Sequence, residues 1–148
     1  MKIGFDVDGT IAIETFESIV QTTIDNNECI NEHIKKMLYF SPSKYFYLMK
    51  TLLNDNNEIF LITFRWREWQ DITLQWIRKN GIQNIHKINC HFSTLDIRTN
   101  SNEEYKVNAI NFKTKIINDN QLDIYFDDSK FLVDALIVNC PQTKIVNV

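Results

Sequence analysis

Apolar positions follow two rhythms along the chain. Runs of strand length, rich in apolar residues, cover residues 2–6, 58–63, 85–92, 122–126 and 144–148. Between them the spacing turns helical. Phe16, Ile19, Val20 and Ile24 mark a helix over 10–24 that Asp25-Asn26-Asn27 breaks. Ile30, Ile34, Met37 and Leu38 mark a second. Ser41-Pro42-Ser43 stops it and opens a third, with Tyr45, Leu48, Met49 and Leu52 on one face. Trp69, Ile72, Trp76 and Ile77 line a helix over 67–80, closed by Gly81 as its C′ residue. Ser101-Asn102-Glu103-Glu104 has the form of a capping box and starts a helix to about Asn118. A last helix follows at 129–138. Strands alternating with helices predict an α/β fold with a mostly parallel sheet of about five strands and helices on both faces. The stretch 93–102 reads as the longest loop.

Length and composition narrow the class. At 148 residues, 44% apolar and with 10 Phe, the chain suits a single domain, 1–148, with a real core. A net charge of −3 lacks the basic footprint of a nucleic-acid-coating protein. Cys29, Cys90 and Cys140 have no metal-ligand spacing, and the last two read as small buried thiols, which suits a reducing, cytoplasmic setting. The start goes straight into a strand without a secretory h-region, and no stretch has the length to span a membrane.

The chemistry gathers where strands end. In an open parallel sheet, ligands bind just past the carboxyl ends of the strands. The first strand ends at Asp6, followed by Asp8, Gly9 and Thr10. Carboxylates at i and i+2 of an extended segment point the same way, and such a pair repels unless a cation or a proton intervenes. A Mg²⁺ ion answers that need. The second strand ends at Thr63, with Arg65 two residues on, and the fourth ends at Asp127 and Asp128. Lys106 lies in the first turns of the helix leading into that strand. A cation there opposes the helix dipole unless an anion holds it, so Lys106 is the expected cationic partner, with Lys113 and Lys115 as rivals.

Taken together, Phe5-Asp6-Val7-Asp8-Gly9-Thr10, Leu61-Ile62-Thr63, Lys106 and Ile124-Tyr125-Phe126-Asp127-Asp128 resemble the four motifs of the haloacid dehalogenase (HAD) superfamily, in order and in spacing. The resemblance spans nearly the whole chain. It implies a Rossmann-like three-layer fold, a Mg²⁺ cofactor and an aspartyl-phosphate intermediate. On that reading Asp6 is the nucleophile, and Asp8 is general acid and then base. Thr63 and Lys106 hold phosphoryl oxygens. Asp6, the Asp8 backbone carbonyl and Asp128 ligate the metal, with Asp127 acting through water. An Asp at position 8 favours phosphatase over dehalogenase chemistry, because an alkoxide leaving group needs an acid.

Residues 11–43 leave room for a small helical cap insertion. A small cap leaves the site open, which suits a large substrate or calls for a partner subunit, such as a second copy of the chain, to close it. Arg65 is placed to grip a second phosphate or a carboxylate with both arms of its fork. Thr63-Phe64-Arg65 before a helix resembles nucleotidases and the 3′-phosphatase domain of polynucleotide kinases. Trp66 is the candidate for stacking on a base, and Arg65, Arg67, Lys44 and Lys50 are candidates for a basic rim. The expected partner is therefore a phosphorylated substrate, a nucleotide or nucleic-acid end, with no membrane involved. The competing readings are a phosphatase of a small sugar or metabolite phosphate, and a catalytically silent HAD-fold binding protein.

Overall fold

The protein is described by a computed structural model covering residues 1–18, 30–95 and 101–148. Five parallel strands form one sheet in the order β3-β2-β1-β4-β5. They are β1 (Lys2–Phe5), β2 (Glu58–Trp66), β3 (Ile88–Ser93), β4 (Ile124–Asp127) and β5 (Lys144–Asn147). Five α-helices are described beside them: α1 (Ile30–Ile34), α2 (Lys44–Asn54), α3 (Gln70–Lys79), α4 (Asn102–Asn120) and α5 (Lys130–Asn139). The expected α/β class and its parallel sheet are what the chain adopts.

The strand pleat sorts the core into two halves. Along β2, Ile59 and Leu61 face one side and join Phe46, Met49, Trp76 and Ile77 from α2 and α3. Phe60, Ile62 and Phe64 face the other and meet Ala109, Ile117, Leu132 and Leu136 from α4 and α5. This makes three layers, with helices on both faces of the sheet. The same alternation puts Thr63 and Arg65 on the Ile59–Leu61 side, near the carboxyl end of the strand.

Several expected elements shift. β2 runs three residues past Thr63, because Phe64 is buried against Tyr105 and Phe112 and Arg65 is buried too. The buried face of α2 is Phe46, Met49 and Leu53, and Leu48 is exposed. Both stripes of that helix are apolar, and its phase is set by Ser43, whose hydroxyl accepts the Tyr45 amide at 3.0 Å. The capping box of Ser101 and Glu104 forms as read, and Gly81 takes a positive φ of 98°. Cys140 is buried and Cys90 half-buried, its thiol pushed up to about 11 by burial. The helix read over 10–24 starts late: Val7–Ile11 is a tight turn, Ala12 bridges to Pro42, and α-helical backbone begins only at Phe16. Cys29, residues 19–24 of that helix and residues 96–100 of the 93–102 loop lie outside the described residues. Among the described residues no helix is long and apolar enough to cross a membrane.

Candidate active site

Three strand ends converge on a cavity of about 270 Å³. Asp6 follows β1, Thr63 lies near the end of β2, and Asp127 closes β4, with Asp128 and Ser129 beyond it. After Asp6 the chain turns sharply through Val7–Ile11, and Gly9 takes a φ of 72° that L side chains rarely adopt. A Cβ at Gly9 would land on the Asp128 carboxylate, so the glycine lets the two ends of the sequence meet. The Thr10 hydroxyl donates to Asp128 Oδ1 at 3.4 Å.

The cation at the carboxylates is Lys113. Its Nζ donates to Asp6 Oδ1 at 2.9 Å and to Asp127 Oδ2 at 2.6 Å, and all three side chains are buried. Lys106 points elsewhere: its half-exposed amine is 3.5 Å from Glu103 and lies over the Phe131 ring. Lys115 pairs with Asp119 on the surface. The expected contact at Lys106 is therefore corrected to Lys113, seven residues on. Seven residues are close to two helical turns, so both lysines share a face but stand about 10 Å apart along the axis. The helix overhangs the sheet edge, and its fourth turn, not its first, sits over the carboxylates. Ala109, Lys113 and Ile117 are its buried stripe. A lysine on an otherwise apolar i, i+4, i+8 stripe was the signal in the sequence.

Asp127 is held by several neighbours. Besides Lys113, its Oδ1 accepts the Ser129 amide at 2.9 Å, and the Tyr125 hydroxyl is 3.1 Å from its Oδ2. Asp128 is half-buried and more open. Burial and the Asp127 charge raise its carboxyl above the ordinary value. Asp6 is raised further. Desolvation is the largest cause, Lys113 pulls the other way, and Asp127 and Asp8 add repulsion. Burial works against the Lys113 ammonium, but Asp127 and Asp6 overcome it and hold its pKa well above that of a free lysine.

Asp8 belongs to a second ion pair. Arg65 grips it with Nε on Oδ2 and Nη2 on Oδ1, both at 2.7 Å, and the Phe16 amide adds a third bond to Oδ1 at 2.9 Å. Arg65 is 1% exposed. Of the expected partners, a phosphate or a carboxylate, the one its fork reaches here is the protein's own carboxylate. The two aspartates share the cavity, as their spacing predicted, but answer to different cations. The Thr63 hydroxyl accepts the Arg65 amide at 3.2 Å, which leaves its own proton for an acceptor in the cavity.

Of the expected rim, Arg65 is buried on Asp8. Trp69 and Trp76 are core, and Trp66 is half-buried with its ring against Trp69. Lys50 lies beside Gly81, at the end of α3. Phe16, Phe64, Tyr105 and Phe131 wall the cavity instead. Its acidic ligands suit a hard cation: Asp6, Asp127 and Asp128 each offer an oxygen within 4.8 Å of the others. Neighbouring ligands of an octahedral Mg²⁺ stand about 3 Å apart and opposite ones about 4 Å, so the three oxygens would draw together to close on one ion.

No family model and no curated protein sequence matches the chain. Solved structures do. The HAD domain of effector protein Lem4 from Legionella pneumophila is similar, with 12% identity, a TM-score of 0.56, and coverage of 99% of this chain and 84% of that one. An inactive mutant of the same domain gives a TM-score of 0.58 at the same identity and coverage. At that identity the likeness is one of fold, and the fold these chains share is the HAD fold.

Proposed function

We propose that this protein is a Mg²⁺-dependent phosphomonoester hydrolase of the HAD type, working through an aspartyl-phosphate intermediate on Asp6. One observation carries the reading. Asp6 and Asp127 are clamped by a buried lysine at the carboxyl edge of the sheet, beside Asp128 and Thr63. Fold stability gains nothing from burying carboxylates this close.

Each residue then has a task. Asp6, Asp128 and, through water, Asp127 would hold the Mg²⁺ ion, which would supply positive charge that favours the Asp6 carboxylate and the approach of an anionic ester. Asp6 attacks phosphorus, and the phosphorus–oxygen bond to the leaving group breaks. Lys113 and the Thr63 hydroxyl steady phosphoryl oxygens as charge shifts. Asp8 gives a proton to the leaving oxygen and later takes one from the water that hydrolyses the acyl phosphate. Asp8 Oδ1 already accepts two donors and Oδ2 only one, so Oδ2 is the oxygen with capacity for that proton.

For the substrate we favour a mononucleotide over a nucleic-acid end. Aromatic walls suit a base, and among the described lining residues Lys113 is the one cation, which gives no track for a polyanion. Residues 11–43 would contribute a small cap. The test is phosphate release with Mg²⁺ from nucleoside monophosphates, 3′-phosphorylated oligonucleotides, sugar phosphates and an aryl phosphate, by wild type and Asp6→Asn. Mg²⁺-dependent turnover that Asp6→Asn loses supports the reaction, and preference for nucleotides supports the substrate. Turnover of sugar phosphates alone overturns the substrate. No turnover of any ester returns the chain to a binding role.

A further inference from the structure

Arg65 is fully engaged inside the protein. Two of its nitrogens hold the two oxygens of Asp8, and Nη1 donates to the Thr73 hydroxyl at 2.9 Å. That hydroxyl donates in turn to the Trp69 carbonyl at 2.9 Å, and Thr73 is fully buried. The Phe40 ring lies 5.7 Å from the guanidinium carbon. Phe40 is itself fixed, because its carbonyl accepts the Trp76 indole N–H at 2.8 Å. Asp8 is thus reached by a chain of contacts from α3, from the segment before α2, and from β2. A fork held at every arm admits one orientation of the carboxylate it grips.

We infer that Arg65 is a positioning residue: it fixes the Asp8 carboxylate so that Oδ2 faces the reacting oxygen, and it makes no contact with substrate phosphate. The inference rests on the phosphatase reading and goes beyond it. A phosphate-binding arginine is open to solvent before substrate arrives, and this one is 1% exposed with each terminal nitrogen already bonded. Lysine cannot replace it, since a single ammonium cannot hold both oxygens in plane.

The two roles separate in kinetics. Arg65→Lys should lower kcat about a hundredfold, the scale of a misplaced acid–base group, and leave KM unchanged. Inhibition by inorganic phosphate should also stay at the wild-type level. A tenfold weaker inhibition constant for phosphate, with a raised KM, would show Arg65 on the substrate and overturn the inference. Thr73→Val is the milder companion should Arg65→Lys fail to fold. It frees one arm of the fork and should lower kcat severalfold with KM unchanged. In an Asp8→Asn background, neither change should cost further activity. Folded variants with wild-type kcat would leave Arg65 a merely structural residue. If wild type itself turns over no phosphoester, both the inference and the reading beneath it fail. If wild type works and the folded variants do too, this inference alone fails.

Discussion

Lys113 Nζ lies 2.6 Å from Asp127 Oδ2, and both side chains are out of reach of solvent. A buried pair of this kind stabilises little on balance, but breaking it leaves uncompensated charge. Lys113→Met would strand two buried carboxylates, Asp6 and Asp127. We expect it to destabilise the metal-free protein by about 3–5 kcal/mol. Lys106→Met removes only a loose surface pair with Glu103 and should stay within about 0.5 kcal/mol of wild type. Urea unfolding of the two variants checks this. Equal losses would mean that the carboxylates do not depend on Lys113.

The contrast between those lysines shows how far the sequence could be read. The strands, the parallel sheet, and the placing of Asp6, Asp8, Thr63, Asp127 and Asp128 at one edge followed from local patterns. Each of these residues is fixed to the sheet within three residues of a strand. Lys113 depends on something not local: how far α4 overhangs the edge before its stripe meets β1 and β4. Arg65 failed differently. Its position and its bidentate habit were legible, but Asp8 lies 57 residues away in the sequence, and only the fold brings that carboxylate to the fork.

Metal should be visible in stability without any turnover. Asp6, Asp127 and Asp128 repel one another across oxygens within 4.8 Å, and a cation among them binds the folded chain alone. Mg²⁺ at a hundred times its Kd should stabilise by about 2.7 kcal/mol, a rise of several degrees in Tm. Asp128→Asn should abolish most of the rise. A full shift in that variant would place the ion elsewhere.

The raised carboxyls give the metal-free protein a pH dependence with a definite sign. Asp6 and Asp128 both bind their protons more tightly folded than at the ordinary value of 3.8. Their contribution is full below that value and is lost as pH rises through the raised pKa of the folded state. Lys113, also raised, acts only in the alkaline window above 10.5. The Tm of metal-free wild type, measured relative to Asp128→Asn, should therefore fall as pH climbs from about 4 toward neutrality. Saturating Mg²⁺ should flatten the wild-type curve. A relative Tm that climbs over that range would mean the Asp128 carboxylate is stabilised by its surroundings.

Gly9 ties the first motif to the last, and two substitutions can show it. Gly9→Ala imposes a side chain on a φ of 72°, a backbone cost of about 1–2 kcal/mol. Its Cβ also lands on the Asp128 carboxylate and displaces it from Asp6 and Asp127. Gly81→Ala carries a like strain at φ 98°, but there the new methyl meets only the flexible end of Lys50. Both variants should lose stability in the metal-free state. Only Gly9→Ala should also shrink the Mg²⁺-induced rise in Tm, because only there does the strain reach the Asp128 carboxylate. Thermal melts with and without Mg²⁺ separate the two effects. An undiminished rise in Gly9→Ala would mean that Asp128 can hold the ion from another rotamer, and that the glycine serves the turn alone.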